Sequence, residues 1–147
     1  MRSLFCCTLK NDDGVSAIEF AIISPVLIML ITGVFHFGIA MNQYLNLTNA
    51  VAQGALTLAL SRGTTTPYSA TTSAINSAAP NLVPGQTTIT VRINGTACTS
   101  DGTCSPALVA GVPAFVRATY PCNLTVMGVN YAPSGCTLSA QTTQMVQ

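Results

Sequence analysis

One carboxylate in a long apolar run is the group whose chemistry most needs an explanation. Glu19 is the only formally charged residue between Val15 and Met41. A charged residue at mid-depth in a membrane costs on the order of 2.5–3.5 kcal/mol on insertion scales, so an acid in such a run is a candidate functional residue. The alternative is that Glu19 lies near the start of a helix and reaches the membrane surface, where the cost is small.

A candidate cleavage site stands just before this acid. Gly14 lies at the boundary between a polar leader and the apolar run, five residues before Glu19. Cleavage after Gly14 would make Val15 the new N-terminus and place an ammonium group one helical turn from the carboxylate. We therefore predict a processing site at Gly14 and Val15, and an assembly charge at Glu19 and the adjacent Phe20.

The spacing around these residues resembles a known family. A polar leader that ends in Gly, then four residues, then Glu and an aromatic residue, is similar to the class III signal of type IV pilins. The Glu-Phe variant is similar to the Tad/Flp (tight adherence) branch. Three segments resemble TadE-like pseudopilins: the string from Gly14 to Leu30 with its early Pro25, the Gly33–Gly38 element, and Leu47–Ala55. The resemblance covers about residues 14–62.

The resemblance implies a minor pilin or pseudopilin of a Tad-type pilus used for surface adherence. Such a chain would sit in the inner membrane with its N-terminus in the cytoplasm and its C-terminal domain in the periplasm, or in an extracellular pilus. Its implied partners are the prepilin peptidase that cuts after Gly14, the inner membrane, and other pilin subunits contacted through helix–helix packing. This chain has His36 and Ile39 where the family often has charged residues, so the resemblance does not extend to interactions of those groups.

An unprocessed single-pass membrane protein, whose periplasmic domain binds another envelope protein, is the alternative interpretation. An enzyme is not expected, because the external region after the apolar run has a single acidic side chain, Asp101, and the only histidine, His36, lies in the apolar run. This region therefore lacks the side chains that a general acid–base pair or a catalytic triad requires. The net charge of +1 does not predict nucleic-acid binding. We predict no cofactor and no metal.

The composition supports a membrane protein. Only 6% of the residues are charged, whereas about a quarter are charged in ordinary soluble domains. The apolar run of ~27 residues makes a helix of roughly 40 Å, which is enough to cross a hydrocarbon core of ~30 Å. We divide the chain into a cytoplasmic leader (1–14), a transmembrane helix that extends into the periplasm (15–62) and a small β-rich domain (63–147).

Four of the six cysteines follow the apolar run, and two, Cys6 and Cys7, precede it. Cysteines in a small domain beyond a membrane anchor indicate disulfides of an oxidising periplasm. Of the three possible pairings, the local ones are favoured because each closes a loop between strand-like runs: Cys98 with Cys104, and Cys122 with Cys136. A zinc site is the alternative, but the gaps lack the usual spacing of structural zinc ligands.

The remaining elements follow from periodicity. The helix is predicted to continue to about Ser61 and to end at Arg62–Gly63, with an apolar stripe at helical spacing formed by Tyr44, Leu47, Val51, Ala55 and Leu58. A short helix (70–79) and three strands (87–94, 113–120 and 137–146) are predicted next, with a turn at Asn94–Gly95. The predicted fold is α+β and pilin-like, with the long helix packed on a small disulfide-bonded antiparallel sheet.

Overall fold

A computed structural model of the chain describes residues 12–83, 85–122, 125–126 and 129–147. The first eleven residues of the predicted leader, including Cys6 and Cys7, lie outside this range. The predicted α+β class is confirmed, because a long apolar N-terminal helix packs on a small antiparallel sheet that is accompanied by two disulfides.

Helix α1 spans Asp12–Leu60. It therefore ends two residues before the predicted Arg62. The Ser61 N–H donates to the Leu58 carbonyl at 3.1 Å, and the chain then leaves the helix through a turn closed by the Thr64 N–H and the Ser61 carbonyl. Gly63 lies in this turn with a φ of +79°, a conformation that glycine adopts at no steric cost.

The second half of α1 is the central helix against which the folded domain packs. Its buried residues recur every three or four positions, as one helix face requires, and they are Leu47, Ala50, Val51, Gly54, Ala55, Leu58 and Ala59. The predicted stripe is therefore confirmed except at Tyr44, which is 40% exposed because it lies at the edge of the covered region. At Gly54 a Cβ atom would lie 2.7 Å from Ile75 Cδ1, so glycine is needed for the close approach of the next helix.

That next helix, α2, spans Pro67–Ala78, and the prediction that it begins at Ala70 was wrong. Proline at the first helical position has a suitable φ and no N–H to leave unpaired. Thr66 makes no side-chain cap. Instead, the Ser69 N–H donates to Asp101 Oδ1 at 2.9 Å, and the Ser69 hydroxyl donates to Oδ2. The helix start is thus capped by a residue 32 positions further along the chain.

Four antiparallel strands form the main sheet in the order β2-β1-β3-β6. Their bounds are Thr88–Ile93 for β1, Thr96–Cys98 for β2, Pro113–Pro121 for β3 and Thr137–Met145 for β6. The three predicted strands are confirmed to within one residue at each end. Asn94 and Gly95 join β1 to β2 with φ angles of +51° and +80°, as expected for a two-residue hairpin turn of type I′.

The two faces of the sheet differ in character. On β3, alternate residues are buried and face α1: Ala114, Val116, Ala118 and Tyr120. The residues between them, such as Phe115 and Arg117, are less buried and point away from α1. Strand β6 extends the inner face with the buried Ala140. The core therefore lies between the sheet and the two helices.

The two disulfide loops contain short elements that periodicity did not predict. In the Cys98–Cys104 loop, helix α3 spans Asp101–Cys104 and is followed by a 3-10 turn. In the Cys122–Cys136 loop, strands β4 (Thr125–Val126) and β5 (Val129–Asn130) pair as a hairpin. Elements of two to four residues are too short to show a period, so the sequence predicted the cross-linked loops but not the short elements within them.

The Asp101 cap predicts a pH-dependent contribution to stability. The hydrogen bond from the Ser69 hydroxyl, and then that from the Ser69 N–H, hold the pKa of Asp101 below its ordinary value. A lowered pKa in the folded state adds stability above the unfolded pKa of about 3.9, and this stability is lost as the pH falls through the folded pKa. We expect Asp101→Asn to lower the unfolding temperature at pH 7 and to have little effect near pH 2.

Thermal unfolding of the detergent-solubilised full chain at both pH values measures this effect. Ser69→Ala is the matched control from the other side of the contact. It should reproduce most of the loss at pH 7 and add little to Asp101→Asn in the double variant. An equal loss at both pH values would show that the charge of Asp101 is not what stabilises α2.

Candidate membrane and assembly helix

The first half of α1 is left uncovered by the rest of the molecule. None of the side chains from Val15 to Met41 is buried. An 18-residue window of this helix has a mean hydropathy of 2.3, and none of that window is buried. By length and composition the helix can cross a membrane. A core helix of a soluble protein would be covered, so the uncovered half of α1 fits a membrane anchor.

The predicted processing and assembly residues lie at the beginning of this uncovered half. Gly14 and Val15 lie in the first turn of α1, and Glu19 and Phe20 lie one turn later. The side chains of Val15 and Glu19 are both exposed. Residues four apart share one side of a helix, so a new N-terminus at Val15 would be on the same side as the Glu19 carboxylate.

One polar side chain on the anchor, Thr32, is hydrogen-bonded within the helix. The Thr32 hydroxyl donates to the Ile28 carbonyl at 2.6 Å and lies 3.1 Å from the Met29 carbonyl. Such bonding removes the cost of a free hydroxyl in lipid. Pro25, inside α1, has no N–H to donate to the Ala21 carbonyl. That carbonyl lies half a turn from Glu19 and adds a second polar group to this end of the anchor.

One side of the anchor forms a continuous apolar strip. A shallow groove of about 490 Å³ is lined by Val26, Met29, Leu30, Gly33, Val34 and Phe37. A second groove of about 370 Å³ begins at the same Phe37 and continues along Ala40, Met41 and Tyr44 to the base of the folded domain. We call this surface the anchor strip. At Gly33 nothing lies within 4 Å of an added Cβ. Because glycine has no side chain, the strip has a shallow depression there, and another helix can pack closely against it.

The Cys122–Cys136 disulfide lies at the end of the anchor strip that is nearest the folded domain. Both cysteines line the second groove together with Leu138. The other disulfide, Cys98–Cys104, closes the loop that carries Asp101. The structure therefore has the two local pairings that the sequence favoured, and it gives them different positions. One lies against the anchor, and the other supports the start of α2.

His36 and the cysteines are not brought together. The His36 ring makes an edge contact with Phe35, with ring centroids 6.1 Å apart. Within the described part of the chain, no three His, Cys, Asp or Glu side chains are grouped closely enough to hold a metal ion. The four distal cysteines are paired with one another. His36 is accordingly interpreted as a packing residue on the anchor.

These features define an architectural class. The chain is an α+β protein whose long helix is uncovered in its first half, which fits a membrane anchor, and packs on a small disulfide-bonded sheet in its second half. The spacing in the sequence predicts Gly14, Val15 and Glu19 as processing and assembly residues, and this stays a prediction. The sequence did not show that the anchor strip continues beneath the folded domain, because that depends on where the Cys122–Cys136 loop meets α1.

A comparison with known proteins finds a family match for one part of the chain. Residues 14–56 match the family model described as TadE-like protein. The N-terminal part of the chain is therefore TadE-like, as its resemblance implied, and this part contains the uncovered apolar helix that fits a membrane anchor. The match begins at Gly14 and ends within the covered half of α1. No curated protein and no solved structure matches the chain.

Proposed function

We propose that this chain is a minor pilin or pseudopilin of a Tad pilus that serves surface adherence. It is inserted in the inner membrane with its N-terminus in the cytoplasm, is cut after Gly14 by a prepilin peptidase, and joins other pilin subunits through α1. The role is structural and involves no catalysis. One observation carries the proposal: the TadE-like match begins at Gly14, and the residues that follow form an apolar helix that the chain itself leaves uncovered.

The chemistry of assembly follows from the pairing of charges in lipid. Cleavage after Gly14 leaves an ammonium group on Val15. The exposed Glu19 carboxylate of a neighbouring subunit can pair with it when the two helices pack side by side. In a low-dielectric environment, leaving one member of such a pair without its partner costs about 3–5 kcal/mol. The pair therefore favours the axial offset of the helices at which each ammonium group meets a carboxylate.

The anchor strip supplies the packing contact in this proposal. Lipid tails are as apolar as leucine, so helices associate in membranes by close packing and polar contacts rather than by the hydrophobic effect. Gly33 lies in the middle of the first groove and lets a neighbouring backbone approach. The strip then continues to Tyr44 and Leu138 at the base of the folded domain. A neighbouring helix can thus follow one uninterrupted apolar surface.

Shearing of cells that carry a complete Tad apparatus tests the proposal. The chain should appear in the sheared surface fraction together with the major pilin. In a strain that lacks the prepilin peptidase, it should remain entirely in the membrane fraction. The alternative, an unprocessed single-pass protein that binds another envelope protein, predicts that the chain stays in the membrane fraction in both strains. That result would overturn the pilus assignment.

A further inference from the structure

The sheet face that points away from α1 carries both basic residues of the domain that follows α1. Arg92 on β1 and Arg117 on β3 are the only basic residues after Gly63, and both side chains are exposed. Arg92 pairs across the sheet with Phe115, and Arg117 pairs with Thr90. The two arginines are therefore diagonal neighbours on adjacent strands. Residues in this relation are typically roughly 7 Å apart.

No acidic side chain neutralises this pair. After Glu19 the sequence has one acidic residue, Asp101, and its carboxylate accepts hydrogen bonds from Ser69 at the start of α2. The Arg117 Nε–H donates to Ser139 Oγ at 3.1 Å, which orients that guanidinium group. Neither guanidinium group therefore gains an ion pair within the part of the chain that the structure describes, and both are available to a ligand.

The surface around the two arginines is a shallow groove across three strands. It consists of two depressions of about 340 and 320 Å³ that share Arg92 and Phe115. The groove combines two guanidinium groups and one half-buried aromatic ring with the hydroxyl groups of Thr90, Thr119 and Thr143. Because it lies on the opposite side of the sheet from α1, a ligand bound here would leave the anchor strip free.

The chemistry of this groove selects its ligand. Guanidinium groups bind carboxylates in a planar, bidentate manner. Threonine hydroxyl groups can donate to and accept from sugar hydroxyl groups, and the C–H face of a sugar ring packs on an aromatic ring. A protein partner usually needs a buried apolar anchor, and Phe115 is the only large apolar side chain in the groove. A nucleic acid needs more cations along its backbone than two.

We infer that this face binds an acidic polysaccharide, with Arg92 and Arg117 each holding a carboxylate and Phe115 lying under a sugar ring. The inference does not depend on cleavage after Gly14 or on assembly through α1. It assigns to the folded domain a ligand of its own, selected by the two positive charges that this domain leaves unbalanced. The ligand is an extended polymer because the two adjoining depressions together cross β1, β3 and β6.

Binding of oligogalacturonate to the full chain in detergent micelles tests the inference. The double variant Arg92→Gln/Arg117→Gln should weaken binding at least tenfold in isothermal titration at low salt. Arg62→Gln is the matched control, because it removes the same charge from an exposed position in the turn after α1, and it should change the affinity less than twofold. An unchanged circular dichroism spectrum of the double variant would show that the fold is intact.

Three results would overturn the inference. The first is no binding of oligogalacturonate to the wild-type chain at millimolar concentration. The second is an equal loss in the Arg62→Gln control, which would mean that overall charge, and not this face, governs binding. The third is equal binding of polyglutamate or single-stranded DNA, which would mean that the face recognises negative charge without a sugar. Selective binding, with neutral dextran inactive, supports the assignment.

Discussion

A Glu19→Ala variant is expected to enter the membrane and to be cleaved after Gly14, yet to lose at least nine-tenths of its incorporation into pili. Removal of the carboxylate makes the anchor more apolar, so insertion becomes easier by up to about 3 kcal/mol. The Val15 ammonium group of the neighbouring subunit then has no partner in lipid. An unpaired charge costs about 3–5 kcal/mol. The equilibrium constant that favours the packed arrangement of helices therefore falls by far more than tenfold.

Quantitative immunoblots of the sheared surface fraction and the membrane fraction measure this loss. Ser16→Ala is the control, because Ser16 is exposed in the same turn of α1 and carries no charge. It should assemble like the wild-type chain. Glu19→Asp keeps the carboxylate on a shorter side chain and should recover part of the assembly. Normal incorporation of Glu19→Ala would count against a charge pair between subunits.

A Gly14→Leu variant is expected to block processing almost completely. A peptidase that cuts after a glycine at the edge of the membrane must bring the backbone close to its catalytic groups, and a branched side chain at that position prevents the close approach. The uncut chain has no ammonium group at Val15, so it should also fail to assemble. Asn11→Ala, a change in the leader away from the cleaved bond, should be processed normally.

The parts of the fold that follow a local period were predicted well from the sequence. The stripe from Leu47 to Leu58 contacts the sheet along one helix face, so its spacing reflects its burial. Strands β1, β3 and β6 were placed to within a residue because one face of each is covered and the other is exposed. The Asn94–Gly95 turn was predicted because few residue pairs adopt two positive φ angles.

The parts that depend on distant contacts could not be predicted. Helix α2 begins at Pro67, a local start signal that the prediction of Ala70 did not use, whereas its cap is Asp101, 32 residues beyond Ser69, which no local pattern indicates. The position of Arg92 beside Arg117 depends on the register between β1 and β3. The exposure of Tyr44 depends on where the folded domain ends along α1. In each case the deciding partner is remote in sequence.

The candidate functional site also has one part that local spacing predicts and another part that depends on distant contacts. The predicted cleavage and charge residues Gly14, Val15 and Glu19 lie within six consecutive positions of one helix, so their spacing along the chain indicates their proximity. The anchor strip was only partly visible from the sequence, because its upper end is built by the Cys122–Cys136 disulfide against Phe37 and Tyr44. The structure therefore extends the anchor strip to the base of the folded domain, and in our proposal this lengthens the surface available for assembly.

The intact mass of the chain, purified from pili or membranes of cells with an active Tad apparatus, tests the central claim most directly. The account predicts a chain that begins at Val15, whereas the Gly14→Leu variant and the wild-type chain from a peptidase-deficient strain should keep residues 1–14. A wild-type chain that is found in assembled pili with those fourteen residues still attached would contradict the account, because Glu19 would then have no ammonium group to meet.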